Sequence, residues 1–197
     1  MKKIMFNDRY GLTKAVLEGK KTMTRRIVPI DLYNQTDWKA VAEGDLEAVV
    51  DGEGYYHDIR NCGKYHVGEE VAIAQSYEAI GLTFISPPDT QWGCTYEMQG
   101  YSNKMFVRAD LMPHRIRITN IKVERLQDIS DEDCMNEGME KWIDCYIVSG
   151  IMENQGKNNV CFDTPREAFA ALIDRISGKG TWQRNPWVYV YTFELLR

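Results

Sequence analysis

No apolar run in this 197-residue chain approaches the ~20 residues that a membrane-spanning helix needs, so no membrane partner is expected. The first residues, M-K-K-I-M-F-N-D, lack the apolar stretch of a secretory signal, and the expected location is the cytoplasm. A basic excess is missing as well. Against 29 Asp and Glu stand 24 Lys and Arg, a formal charge of −5, which argues against a domain that holds nucleic acid by bulk electrostatics. An anionic ligand has to be met by a local cluster. The five cysteines (Cys62, Cys94, Cys134, Cys145 and Cys161) are an odd set without a C-x-x-C pair, and the three histidines (His57, His66 and His114) lack metal-site spacing. Reduced thiols, no metal and no cofactor are expected, although Cys145 and Cys161 flank a loop that can bring them together.

What is present fits one domain over residues 1–197. Asn7 and Asp8 offer a cap, and Tyr10, Leu12, Ala15, Val16 and Leu17 recur at helical spacing, predicting a helix from about Arg9 to Glu18. Two loop-rich stretches, about 29–64 and 81–102, are expected to be insertions, the first a small meander with a D-G-E-G turn at Asp51–Gly54. Alternating runs predict strands at V-G-E-E-V-A-I after a turn at Gly68, at K-M-F-V-R-A-D from Lys104, and at R-I-R-I-T-N-I-K-V-E-R-L from Arg115. In the last run Ile116 and Ile118 fall on the opposite phase from Ile121 and Val123, which a bulge near Thr119 and Asn120 reconciles. Ser130 caps a short acidic helix, Asp131 to Glu137, that Gly138 stops. Thr164, Pro165 and Glu167 open a further helix ended by Gly178, and W-V-Y-V-Y-T-F-E-L is a final strand. Strands interrupted by short capped helices, without regular alternation, predict an α+β fold on a small mixed β-barrel with short flanking helices.

The densest chemistry lies in G-K-K-T-M-T-R-R, Gly19 to Arg26. A glycine just past the last apolar turn of a helix takes the left-handed conformation that ends helices, so four cations begin where a helix stops, with no acid between them. Such a run is either a solubilising turn or a local cluster for an anionic ligand.

The run fits the G-x-K-x-x-x-x-R signature of the ASCH domains, a branch of the PUA-like β-barrel superfamily, with Gly19, Lys21 and Arg26 on the signature positions. V-G-E-E-V-A-I, R-L-Q-D-I-S-D-E-D-C-M-N-E-G, T-P-R-E-A-F-A-A-L-I-D and N-P-W-V-Y-V-Y-T-F-E resemble further segments of a form found in phage and bacterial genomes. The two insertions have no counterpart in the short members. A small bacterial member, the N(4)-acetylcytidine amidohydrolase, uses a Lys and a Thr of this stretch with a Glu at the end of the helix after the central strands. By that resemblance Lys21, Thr24 and Glu137 are the implied catalytic residues. The implied function is binding of a modified nucleoside or RNA in a basic cleft, with hydrolysis of the amide of an N-acylated cytidine as its enzymatic form.

Chemistry leaves two assignments open. Threonine needs a neighbouring base, and lysine serves only when burial or adjacent cations depress its pKa; Lys20, Arg25 and Arg26 are such cations. In the first assignment Lys21 deprotonates Thr24 while Glu137 orients the amine or protonates the leaving group. In the second, Glu137 activates water, a charged Lys21 stabilises the oxyanion and Thr24 positions substrate. An acid at a helix C-terminus opposes the dipole, so Glu137 stands where local stability would not choose it. Gly19, Lys20, Arg25 and Arg26 are candidates for ligand binding, with Arg26 alternatively the partner of a carboxylate such as Glu70 or Asp110. Among the aromatics Trp92, Tyr96, Tyr101, Trp142, Tyr77 and Phe106, the last two are the candidates for lining a nucleobase site. Arg115 and Arg117 alternate outward on a strand, as phosphate contacts or as a solvated face. Two further readings stand beside the enzyme: a non-catalytic nucleic-acid-binding module and a phage-encoded protein-interaction module.

Overall fold

The computed structural model describes residues 1–85, 93–153 and 158–196. It begins with strand β1 (Lys3–Ile4), helix α1 (Leu12–Leu17), β2 (Met23–Ile27), helices α2 (Ile30–Asn34) and α3 (Trp38–Glu43), and the hairpin β3 (Glu47–Val50) and β4 (Tyr56–Asp58). Then come β5 (Glu70–Ile73), the short pair β6 (Phe84–Ile85) and β7 (Gly93–Cys94), and the long β8 (Arg115–Arg125). Helix α4 (Asp131–Asn136) leads to two small hairpins, β9 (Glu140–Trp142) with β10 (Cys145–Ile147) and β11 (Met152–Glu153) with β12 (Asn158–Asn159). Helices α5 (Pro165–Ser177) and α6 (Thr181–Arg184) precede β13 (Trp187–Leu196).

Five strands form the main sheet in the order β1-β5-β8-β13-β2, parallel only between β1 and β5. The α+β class agrees with expectation, but the sheet is open and not a closed barrel. The two-residue β1 stops before Asn7 caps the next turn, so it does not reach β2. A side chain crosses the gap instead: Arg26 Nη2 donates to the Met5 carbonyl at 2.7 Å. The bulge falls where the phase change demands it. Thr192 faces Asn120 and Phe193 faces Ile118, which leaves Thr119 as the extra residue and lets Ile116, Ile118 and Ile121 all enter the core.

Helix α5 closes the core with Ala168, Phe169, Leu172 and Ile173. Its capping is reciprocal, with Thr164 Oγ1 accepting from Glu167 N at 3.1 Å and Glu167 Oε2 accepting from Asp163 N at 3.2 Å. The first helix is shorter than its pattern. Asn7 caps a single 3-10 turn, Asp8–Tyr10, and Gly11 at φ 65° restarts the chain as α1. Residues 29–64 are more than a meander: Asp37 accepts from the amides of Lys39 and Ala40 and starts α3. The turn after β3 is as expected, with Asp51 Oδ1 accepting from Glu53 N and Tyr55 N at 2.9 Å. The run from Lys104 is two 3-10 turns, not a strand, because Asn103 caps Met105 N at 3.0 Å. Around it a second, small core gathers Ala72, Ala74, Tyr77, Val107 and Met112.

The expectation of reduced thiols fails for one pair. Cys145 and Cys161 form a disulfide, with Cα atoms 5.6 Å apart, because the antiparallel bridge between Tyr146 and Phe162 sets them side by side. Cys62, Cys94 and Cys134 are free.

Two left-handed glycines separate conformational from steric need. Gly19 has φ 72° and nothing within 4 Å of an added Cβ, whereas at Gly150, φ 77°, a Cβ would stand 2.1 Å from the Arg9 carbonyl oxygen. Gly19→Ala is expected to cost about 1 kcal/mol, and Gly150→Ala about 3 kcal/mol because backbone must move as well. Urea unfolding of both variants beside the wild type checks the order.

Candidate active site

The site is assembled where two element ends meet. Helix α1 ends in a Schellman turn, with Gly19 N–H donating to Val16 O at 3.0 Å and Lys20 N–H to Ala15 O at 2.9 Å. This aims Lys21 inward at the start of β2. Helix α4 ends against the same point: Thr22 N–H donates to Asn136 O at 3.0 Å, and Gly138 at φ 101° turns the chain away. The consequence is a buried contact between residues far apart in sequence. Lys21 Nζ lies 2.5 Å from Glu137 Oε2 and donates to the Glu137 carbonyl at 2.8 Å. The side chains are 1 % and 5 % exposed, so solvent screens neither charge. At the C-terminus of α4 the ammonium also offsets the dipole that Glu137 opposes.

A second cation holds the other carboxylate oxygen. Arg25 Nη1 lies 3.2 Å from Glu137 Oε1, while its Nη2 reaches Glu124 Oε1 and Asp133 Oδ2, both at 2.7 Å. Lys122 closes the ring from Glu124 at 3.0 Å and Asp133 at 3.2 Å. Lys21, Arg25 and Lys122 thus match Glu124, Asp133 and Glu137 charge for charge. Burial pushes the Lys21 ammonium below its ordinary 10.5; Glu137 opposes that shift, and the charges of Arg26 and Arg25 add to it. Burial also works against the charge of Arg25, but its three carboxylates outweigh it and hold its pKa above the ordinary value.

A cavity of about 600 Å³ opens on this pair. Lys21, Thr24 and Glu137 all line it. Thr24 is buried on β2, opposite Tyr191 of β13. Arg26 stands on its wall, anchored to Met5 O, and has neither of the carboxylate partners considered for it. Glu70 pairs with Arg117 at 3.1 Å and Asp110 with Arg108 at 2.5 Å. Four ligand-binding expectations need correction. Gly19 is a turn residue outside the cavity, and Lys20 faces solvent, paired with Glu18 at 2.7 Å. Tyr77 belongs to the small second core, its hydroxyl accepting from Arg108 N at 3.0 Å. Phe106 is exposed on its 3-10 turn while its neighbours Asn103, Lys104 and Met105 line the wall. Arg25 lines the cavity but is committed to carboxylates, which makes it a positioning group.

Trp92 and the side chain of Tyr96 lie outside the described residues. Arg117 bridges Glu70 and Glu194 at 3.1 and 3.2 Å, so it belongs to a solvated face. Sequence reasoning missed the rest of the cavity: Phe6, Asn7, Asp8 and Lys104 at one end, Leu126, Phe169 and Leu172 at another. The helical spacing on α5 signalled burial of Phe169 and Leu172, but nothing local signalled a cavity. Among the described residues no group of three or more His, Cys, Asp or Glu is set to hold a metal, and no helix is long and apolar enough to cross a membrane.

Removing Arg25 takes a cation from three carboxylates at once and leaves the six-charge cluster with one net negative charge. Arg25→Ala is expected to cost about 3–5 kcal/mol by chemical denaturation. Burial raises the pKa of Asp133, but hydrogen bonds from Arg25 and Lys122 outweigh it and hold the group below 3.8. Its stabilisation is therefore present above 3.8 and lost as pH falls through the folded value. The stability difference between wild type and Asp133→Asn should narrow below that pH. Comparison of the chain with protein-family models, with curated proteins and with solved structures gives no match, and the functional reading rests on this geometry.

Proposed function

We propose that this cavity is the active site of an ASCH-type, PUA-like amidohydrolase that cleaves the amide of an N-acylated nucleoside, with N(4)-acetylcytidine as the simplest substrate. The observation that carries the proposal is the 2.5 Å contact between Lys21 and Glu137 beside Thr24 in one cavity. Two groups of the Gly19 to Arg26 run and a third at a helix end 116 positions from Lys21 line the same cavity. In the net reaction the amide C–N bond breaks, the water oxygen goes to the acyl carbon as a carboxylic acid, and the nitrogen takes a proton to leave as the amine.

Of the two assignments, the geometry favours Lys21 as base. Both oxygens of Glu137 accept from cations, one from Lys21 and one from Arg25, which suits a carboxylate that orients Lys21. Burial makes the neutral amine of Lys21 accessible below the ordinary lysine range. Lys21 then takes the Thr24 proton as the hydroxyl attacks the acyl carbon and passes it to the departing nitrogen. Water, losing a proton to Lys21, next cleaves the Thr24 ester and frees the acid, while Glu137 holds Lys21 in place. A phosphate-binding reading is weaker here, because Lys21 and Arg25 are already matched by carboxylates.

Purified protein incubated with N(4)-acetylcytidine should release cytidine, and Lys21→Ala, Thr24→Ala and Glu137→Gln should each lower the rate by about 10²-fold or more. The rate should rise with pH as Lys21 loses its proton, with a midpoint below 10.5. No turnover together with salt-sensitive RNA binding would replace the enzyme by a binding module. If Thr24→Ala keeps most of the rate, the covalent route is wrong.

A further inference from the structure

We infer that the acyl group removed at this site is a hydrocarbon chain longer than acetyl, an inference that rests on the amidohydrolase reading. Two chemically different groups of side chains line the cavity, one around Lys21 and one around Arg25. On one side Lys21 Nζ lies 5.9 Å from the Phe6 ring, beside the polar side chains of Asn7, Asp8 and Lys104. On the other, Arg25 Cζ lies 5.9 Å from the Phe169 ring, and Leu126, Leu172, Ile173 and Val188 continue that wall. The charge at this second end is spent: the Arg25 guanidinium faces Glu124, Asp133 and Glu137, so it offers nothing to a phosphate or carboxylate. The portion of a ligand that lies there is neutral and apolar.

The exposed part of the lining agrees with the buried part. Met5, Ile27, Met105 and Ile176 all line the cavity, and each is 36–59 % exposed. Large exposed apolar side chains along a cavity mark a surface that an apolar ligand covers. An acetyl group has one methyl to set against this surface. A volume of about 600 Å³ also lies in the range that encloses a drug-sized ligand. A medium-length chain such as hexanoyl or octanoyl fills the apolar end while the nucleoside takes the polar end.

The experiment is a series of N(4)-acylcytidines, from acetyl through butyryl and hexanoyl to octanoyl, with cytidine release followed for each. kcat/KM is expected to rise about threefold per added methylene, so that hexanoyl exceeds acetyl at least about tenfold. Ile173→Trp, which fills the apolar wall, should lower that hexanoyl-to-acetyl ratio at least about tenfold. A wild-type ratio of one or less overturns the inference and leaves the hydrolase reading standing. If no acylcytidine is hydrolysed, the hydrolase reading fails and binding decides. Octanoate titrated calorimetrically should then bind the wild type and lose at least about tenfold in affinity with Ile173→Trp; absence of binding overturns the apolar subsite as well.

Discussion

The buried contact between Lys21 and Glu137 is the constraint on which the arrangement of the site depends. It joins the first residue after the α1 turn to the residue that caps the end of α4, 116 positions further along the chain. Two charges taken out of water at such a point lose several kcal/mol each in hydration, and only close pairing and complete hydrogen bonding recover it. That requirement propagates. Glu137 needs Arg25 for its second oxygen, Arg25 needs Glu124 and Asp133 for its remaining donors, and Lys122 balances the last two acids. Strands β2 and β8 and helix α4 are thereby held in one mutual position. A well-packed apolar cluster would do this at no electrostatic cost. Keeping six charges instead is a local departure from what stability alone favours, and such departures concentrate at functional sites.

The same neutral ring explains how a polar centre coexists with an apolar wall. Because Arg25 is matched by three carboxylates, its guanidinium can lie over Phe169 without leaving an uncompensated field. Lys21 is buried at the same centre, and that burial pushes its ammonium below the ordinary lysine value. Strand β2 supplies the other half of the arrangement. As a sheet edge it carries Thr24, Arg25 and Arg26 in succession, and all three reach the cavity. A closed barrel would pair that edge and bury the opening.

Much of this is legible in the residues and some of it is not, for a definite reason. Caps and stops are local, so Ser130, Thr164, Gly138 and Gly178 mark the ends of α4 and α5 correctly. The phase change along β8 is also local, and it places the bulge at Thr119. Lys21, Thr24 and Glu137 were reachable through a motif and a helix end. What fails is whatever depends on a distant partner. Lys20 and Arg25 look alike in the run, yet one faces solvent and the other meets three carboxylates on β8 and around α4. Tyr77 and Phe106 share an aromatic character but only the fold decides that one is core and the other surface. The helices in residues 29–64 escaped because each is a bare five or six residues long, too short for periodicity to register.

The insertions also bear on what kind of site this is. Residues 29–64 do not line the cavity that holds Lys21 and Glu137. Their last turn, Cys62 to Lys64, lines, with Tyr65, Tyr189 and Tyr191, a neighbouring hollow of about 290 Å³ that shares Met5, Arg26 and Ile27 with the cavity, and a Cβ at Gly63 would stand 2.6 Å from the Tyr191 hydroxyl. That turn is therefore fitted against the back of β13, the strand that pairs with β2. Tyr191 is opposite Thr24 in the same ladder, so the insertion packs against the partner strand of the one that carries Thr24. Elsewhere on the cavity, Asn103, Lys104 and Met105 follow the second insertion, and Lys104 reaches across to Asp8 at 2.7 Å. The first insertion bears on the site through β13, and exposed apolar side chains stand in the cavity lining.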